Sequence, residues 1–253
     1  MLRELTKGDW LSILQIPPAM VPQVLLLRGT RNLKTQYARY KAMFNEVIEV
    51  GTPNGIVEDI LIGTVDGVRV GYASVYGGPM ASEVVHIFGM LGTRLVIQIG
   101  CCGALADDIR AGDLFVASEA HCGDGASQYY KSDGTTVTSQ LSSGTIPLPV
   151  DKGESCHSGR IFTTAALFAE GKREIDDWHN CGYAAVDMET AATFAVAEHF
   201  GMDRVSILFA FDNPRHSGHL LLDETEKTAR REAGNSRMNA AALALVRQTN
   251  MVQ

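Results

Sequence analysis

The sequence predicts a single α/β domain, residues 1–253, built on a central mixed sheet. Three observations carry that prediction. Short apolar, β-branched runs alternate with longer helical patterns; one strong hairpin signal interrupts the alternation; and no linker, internal repeat or low-complexity tract divides the chain. With 253 residues, 45% hydrophobic and 20% charged, the chain can bury a sizeable core, which excludes a disordered chain and a disulfide-stapled mini-protein.

The elements follow in order. Val24 to Leu27 reads as a strand ending at Arg28-Gly29, and the breaker-free stretch Asn32 to Met43 reads as the helix after it. Ile60 to Thr64 and Val68 to Val75 flank Asp66-Gly67, two residues that tolerate positive φ, and so form an antiparallel hairpin. Ser82 to Leu91 is a helix, Leu95 to Ile99 a buried strand, Gly100 to Gly103 the sharp turn leaving it, and Asp113 to Ser118 a further strand. Gly123 to Ser158, rich in Gly, Ser, Thr and Asp, reads as a long irregular excursion with room for short strands. Order returns with Ile161 to Thr164 and Ala184 to Val186. A helix from about Glu189 to His199, the strand Val205 to Phe211 and a final helix from about Asp223 to Arg247 complete the chain.

Charge and cysteine usage narrow the function classes. The net charge of −7 is opposite in sign to a nucleic-acid footprint, so no polyanion partner is expected. The five cysteines, Cys101, Cys102, Cys122, Cys156 and Cys181, form no C-x-x-C pair, which argues against a disulfide framework or zinc cage and fits a reducing compartment. His121-Cys122 and Cys156-His157 lack finger-like spacing, so no metal is expected. Met1 to Met20 lacks the pattern of a signal peptide and no run of eighteen apolar residues occurs, so the expectation is a cytoplasmic protein without membrane contact.

Ligands of open α/β sheets bind beyond the carboxyl ends of the strands. Four positions qualify: Arg28 to Arg31, Gly100 to Gly103, Asp187-Met188-Glu189 and Asp212-Asn213. None carries a dinucleotide fingerprint, phosphate-binding P-loop, zinc-protease motif or nucleophile elbow. Paired acids and glycine turns are what remain.

Val96-Ile-Gln-Ile-Gly-Cys-Cys-Gly-Ala-Leu105, Asp108-Ile-Arg-Ala-Gly-Asp-Leu114 and Ala185-Val-Asp-Met-Glu-Thr-Ala-Ala192 resemble the signature of the purine nucleoside phosphorylase and uridine phosphorylase family. Smaller echoes are Gly77-Gly-Pro79, Asp124 within Gly123 to Ser127 with Tyr129 and Tyr130 beyond, and Thr163-Thr164; together they cover roughly residues 22 to 248. The resemblance implies a three-layer αβα nucleoside phosphorylase-like fold, a homo-oligomer (trimer or hexamer), a nucleoside ligand, no cofactor, and phosphate as the co-substrate where one is used.

By the same resemblance Glu189 would bind the ribose 2′ and 3′ hydroxyls while Met188 packs on the sugar. A carboxylate can accept both hydroxyls and favours the oxocarbenium-like sugar that forms as the glycosidic bond breaks. Read without the family, Asp187 and Glu189 merely suit the positive end of the helix that follows. Asp212 falls where purine-cleaving members carry an acid for N7 of the base, which points to purines, although Phe211 replaces the usual small Ser. The alternative is that Asp212-Asn213-Pro214 is a turn bonding its own backbone. Phe162, Thr164, Leu167 and Phe168 fall along the base pocket; core packing is the commoner use of such residues, and Phe168 is retained as a base contact, with Ser127 and Tyr129 behind it. His216 and His219 follow Asp212 and either close the base pocket or lie exposed.

The phosphate site departs from the family pattern. Gly29 is kept, but Leu33 and Gln98 stand at two arginine positions, Cys101 at the hydroxyl position and Ile56 at the arginine lent by a neighbouring subunit. Gln98, Cys101 and Gly103 therefore line the substrate side of the second glycine turn. Arg28, Arg31 and Lys34 crowd the first turn, either as substitute anion ligands with Gly29 or as solvated charges. If they hold phosphate the reaction is phosphorolysis; if not, water is the acceptor and the protein is a hydrolytic nucleosidase, with Glu46, Glu49 or Glu58 as the available acids. Cleavage of the C1′–N bond of a purine-type nucleoside is the reading, with a pyrimidine or 5′-modified nucleoside phosphorylase and a non-catalytic nucleoside-binding homologue as the alternatives.

Overall fold

A computed structural model describes residues 1–51, 55–131, 133–148, 155–216 and 225–249. In chain order the elements are α1 (Lys7–Ile13), β1 (Val24–Gly29), α2 (Leu33–Met43), β2 (Asn45–Val50), β3 (Ile60–Val65), β4 (Val68–Val75), α3 (Gly77–Leu91), β5 (Leu95–Ala104) and β6 (Leu114–Gly123). There follow β7 (Thr136–Thr138), β8 (Cys156–Thr164), α4 (Lys172–Asn180), β9 (Ala185–Asp187), α5 (Thr190–His199), β10 (Asp203–Asp212) and α6 (Thr225–Gln248).

The strands form one mixed sheet in the order β10-β6-β8-β9-β5-β1-β4-β3-β2, with β7 on β6. β5 pairs in parallel with both β1 and β10, so the first five strands of that order close on themselves. The expected hairpin is present: Val65 pairs with Val68 across Asp66 and Gly67, both with positive φ.

Alternation along the strands sorts the core into layers. Val24 and Leu26 of β1 and Leu95, Ile97 and Ile99 of β5 pack with Tyr40 of α2 and Met238, Ala241 and Leu245 of α6. Leu25, Leu27 and Val96 face the other way, onto Trp10 of α1, Val84 and Phe88 of α3 and Val196 of α5. Helices thus cover both faces, giving the expected three layers. None of the described helices is long and apolar enough to cross a membrane.

The structure corrects several boundaries. Gly100 to Gly103 is not a turn but the end of β5, because β10 runs on beside it, pairing Leu208 with Gly100 and Ala210 with Cys102, and β9 pairs Val186 with Gly103. α3 begins at Gly77 rather than Ser82, and β8 begins at Cys156, inside the segment expected to be irregular. α1, β2 and α4 were not expected at all. His219 and Asp223 lie outside the described residues.

Candidate active site

The short strand β9 delivers the central acids. Asp187, its last residue, is fully enclosed: Oδ1 accepts from the Thr163 hydroxyl at 2.8 Å, and Oδ2 accepts from Gln98 Nε2 at 3.1 Å, the Thr190 amide at 2.9 Å and the Thr190 hydroxyl at 2.6 Å. Thr163 Oγ1 in turn accepts from the Ala191 amide at 3.0 Å. Asp187 therefore caps α5 and ties it to β5 and β8. Gln98, expected on the substrate side, spends its amide nitrogen on this knot.

Glu189, two residues on, is only 6% exposed. Its Oε1 accepts from the Gly77 amide at 2.7 Å, at the amino end of α3. A Cβ on Gly29 would stand 2.7 Å from Oε2, so the first glycine turn is shaped to admit this carboxylate. Burial pushes the Glu189 carboxyl up to about 8; the Asp187 charge adds to this, and the Gly77 and Met188 amides oppose it. Burial raises Asp187 too, while its four hydrogen bonds pull the other way. Met188 stands between the two acids in sequence and is partly exposed.

Asp212 ends β10 opposite Gly103 and is 8% exposed. A Cβ on Gly103 would come 3.6 Å from its Oδ1. The turn bonding weighed for Asp212 falls instead to Asn213, whose Oδ1 accepts from the Arg215 amide at 3.2 Å and whose Nδ2 donates to Ala106 O at 2.8 Å. Burial raises the Asp212 carboxyl, against the positive charges of Arg231 and Lys227. Glu170 is its neighbour, pushed up to about 7 by burial and by the Asp212 charge. Arg231 donates to Phe211 O at 2.6 Å and lies 3.9 Å over the Phe211 ring. Sequence reasoning missed both Glu170 and Arg231; an acid beside a glycine and an arginine in a basic helix start carry no distinguishing signal.

Cys101 is exposed as a residue, while desolvation of its thiol and the Glu189 charge hold that thiol up to about 11. Arg31 and Arg28 separate. Arg31 donates to the Tyr76 hydroxyl at 2.6 Å, with its guanidinium 4.9 Å from the Tyr76 ring and 5.3 Å from the Phe168 ring. Phe168 itself is 85% exposed. Arg28 turns to the opposite face, where Nη1 donates to Asn239 Oδ1 at 3.2 Å and Nη2 to Asn235 Oδ1 at 2.7 Å.

Other candidates have partners of their own. Phe162 is stacked between His121 at 4.9 Å and Trp178 at 4.4 Å, which is packing. Ser127 bonds Asp124 at 2.6 Å, and Tyr129 is exposed. Glu49 is engaged by Lys41 at 2.6 Å and Tyr37 at 2.8 Å. His216 faces Asp107 at 3.0 Å on the surface.

Residues 32–247 match the family model of the phosphorylase superfamily. The purine nucleoside phosphorylase DeoD-type of Clostridium perfringens (strain SM101) is 27% identical over 190 residues, covering 72% of this chain and 77% of that protein. The guanosine phosphorylase of Halorubrum lacusprofundi is 30% identical over 128 residues, and the match spans about half of each protein, 50% of this chain and 53% of that one. The crystal structure of uridine phosphorylase from Vibrio fischeri superposes with a TM-score of 0.72 at 18% identity, over 92% of this chain and 95% of that one, which is a likeness of fold.

Proposed function

The chain belongs to the phosphorylase superfamily, and on that premise we propose that it cleaves the C1′–N bond of a purine-type nucleoside. The observation that supports this reading most is the pair of nearly buried acids at strand ends, Glu189 and Asp212, the first of them admitted by the absence of a side chain at Gly29.

Glu189 receives the sugar hydroxyls. A polarisable carboxyl held by the Gly77 amide is preorganised where positive charge develops on the sugar ring, and a preorganised group needs no reorganisation at the moment of reaction. Asp212 serves the base. Burial raises its carboxyl, which favours the acid form, and a proton donated to the departing base lowers the cost of expelling that base. Met188 and Phe168 supply apolar contacts to sugar and base, and Cys101 and Gly103 floor the cleft between them.

Two of the relatives are named as purine and guanosine phosphorylases, which agrees with a purine and with the acid at Asp212. The assembly expected with this activity is a homo-oligomer, trimer or hexamer, read by light scattering. The test of the activity is direct: the pure protein is incubated with a panel of purine and pyrimidine nucleosides and free base is followed by chromatography. Release of purine bases supports the reading. Release of pyrimidine bases alone contradicts the part given to Asp212, and no release from any nucleoside contradicts the whole.

A further inference from the structure

We propose that Arg31 is a positioning residue for the nucleobase: clasped between Tyr76 and Phe168, its guanidinium holds the exposed Phe168 ring in the orientation on which the base stacks. The proposal rests on the reading of the site as nucleoside-cleaving with Phe168 as a base contact. It adds what fixes that contact.

Phe168 has little else to hold it. It lies on a single 3₁₀ turn, Leu167–Ala169, in which no residue is buried, and it is 85% exposed. Among the described residues it joins none of the apolar clusters. Its ring instead lies 5.3 Å from the Arg31 guanidinium. A ring left free on such a turn has to be immobilised when a base stacks on it, at a cost in affinity. A cation seated on one face fixes the ring before the ligand arrives and leaves the other face for the base.

Arg31 is itself fixed. Its Nη2 donates to the Tyr76 hydroxyl at 2.6 Å, and its guanidinium lies 4.9 Å from the Tyr76 ring. Tyr76 precedes Gly77, whose amide donates to Glu189 Oε1 at 2.7 Å, and Arg31 follows closely on Gly29, whose lack of a side chain admits the Glu189 carboxylate. Both segments that carry the guanidinium are thus anchored at the acid that receives the sugar. Phe168 arrives from elsewhere: its turn follows β8, whose Thr163 hydroxyl donates to Asp187 at 2.8 Å. In the sheet β9 and β5 lie between β8 and β1, so the Arg31–Phe168 contact joins loops on either side of the strand that leads to Glu189. A base whose sugar rests on Glu189 therefore meets a ring placed by reference to that same acid. Lysine would serve poorly here, because an ammonium has no plane to lie against two rings.

The test is a double-mutant cycle of Arg31→Met and Phe168→Ala in the whole chain, read by KM and kcat for base release and by the Kd for guanosine from titration calorimetry. Arg31→Met keeps an apolar stem and removes the cation. It should raise the nucleoside KM and Kd about 2- to 10-fold with kcat little changed. Phe168→Ala should raise both at least as much, and Arg31→Met should add nothing in the Phe168→Ala background. Arg31→Lys should recover only part of the loss. In the unliganded protein the Arg31 side-chain protons should be shifted upfield in NMR spectra by the two rings and should move back in Phe168→Ala, a readout independent of catalysis and of folding defects in the variants. Single-variant effects that simply multiply in the double variant overturn the proposal and leave nucleoside cleavage standing. So do Arg31 resonances that do not respond to Phe168→Ala, and so does an Arg31→Met variant that raises the KM for phosphate and leaves that for nucleoside unchanged. Guanosine binding that follows the cycle without base release supports the proposal and counts against cleavage. A wild type that neither binds nor cleaves any nucleoside overturns both.

Discussion

Replacing Glu189 by glutamine should abolish the chemistry and at the same time make the fold more resistant to unfolding at alkaline pH. The carboxyl is enclosed and raised from its ordinary 4.5 to about 8, first by burial and then by the Asp187 charge. In the unfolded chain it titrates near its ordinary value. Between those two pH values the folded protein therefore holds a proton that the unfolded chain has released, and stability falls as pH rises. The loss is absent below the unfolded value and complete above the folded one. At about 1.4 kcal/mol for each pH step, a rise from 4.5 to about 8 corresponds to about 5 kcal/mol across the window. Sharing of the charge with Asp187 and entry of water into the cleft reduce this to a few kcal/mol. Glutamine does not titrate, and its side-chain oxygen still accepts from the Gly77 amide. Urea unfolding at pH 5, 7 and 9 should show wild type and Glu189→Gln nearly equal at pH 5, with the variant more stable by about 2–5 kcal/mol at pH 9. Parallel pH profiles for the two proteins would refute the buried, charge-opposed environment assigned to Glu189.

Three further outcomes follow from the same geometry. Gly29→Ala places a Cβ 2.7 Å from Glu189 Oε2, so base release should fall about 10- to 100-fold in kcat/KM while Tm changes by only a few degrees. Asp187→Asn turns an amide nitrogen toward groups that already donate, the Thr190 amide and Gln98 among them; calorimetry should show a loss of about 2–4 kcal/mol, and a variant as stable as wild type would contradict its part as the cap of α5. Asp212→Asn removes the negative charge that helps to hold Glu170 up, so the Glu170 carboxyl should titrate below about 7 when followed by NMR, whereas an unmoved titration would separate the two acids.

Much of the fold was legible because local rules agreed with the tertiary outcome. The Asp66-Gly67 hairpin formed as expected, since both residues adopt the positive φ that the turn demands. The end of β5 was not legible. Gly100 to Gly103 reads as a turn by composition, but hydrogen bonding to β10 and β9 on the two sides holds it extended, which is a long-range effect. α4 was missed because its apolar face consists of Ile175 and Trp178 alone, too short a repeat among charged residues to mark a helix. Among the candidates, the positions of Glu189 and Asp212 at strand ends were legible from the motifs, while Glu170 comes beside Asp212 from a segment without a pattern. The divergence of Arg28 from Gly29 was readable in principle. Strand alternation sends neighbouring residues to opposite faces, which puts Arg28 with the α6 layer and Gly29 with Glu189.

The central claim is that Glu189 is the group on which cleavage of the glycosidic bond depends. It is tested most directly by the rate at which Glu189→Ala releases base from the best nucleoside of the panel, measured against wild type at saturating nucleoside and phosphate. A loss of about 100-fold or more, with the variant still folded by circular dichroism, is the predicted result. A rate equal to that of wild type would contradict the account.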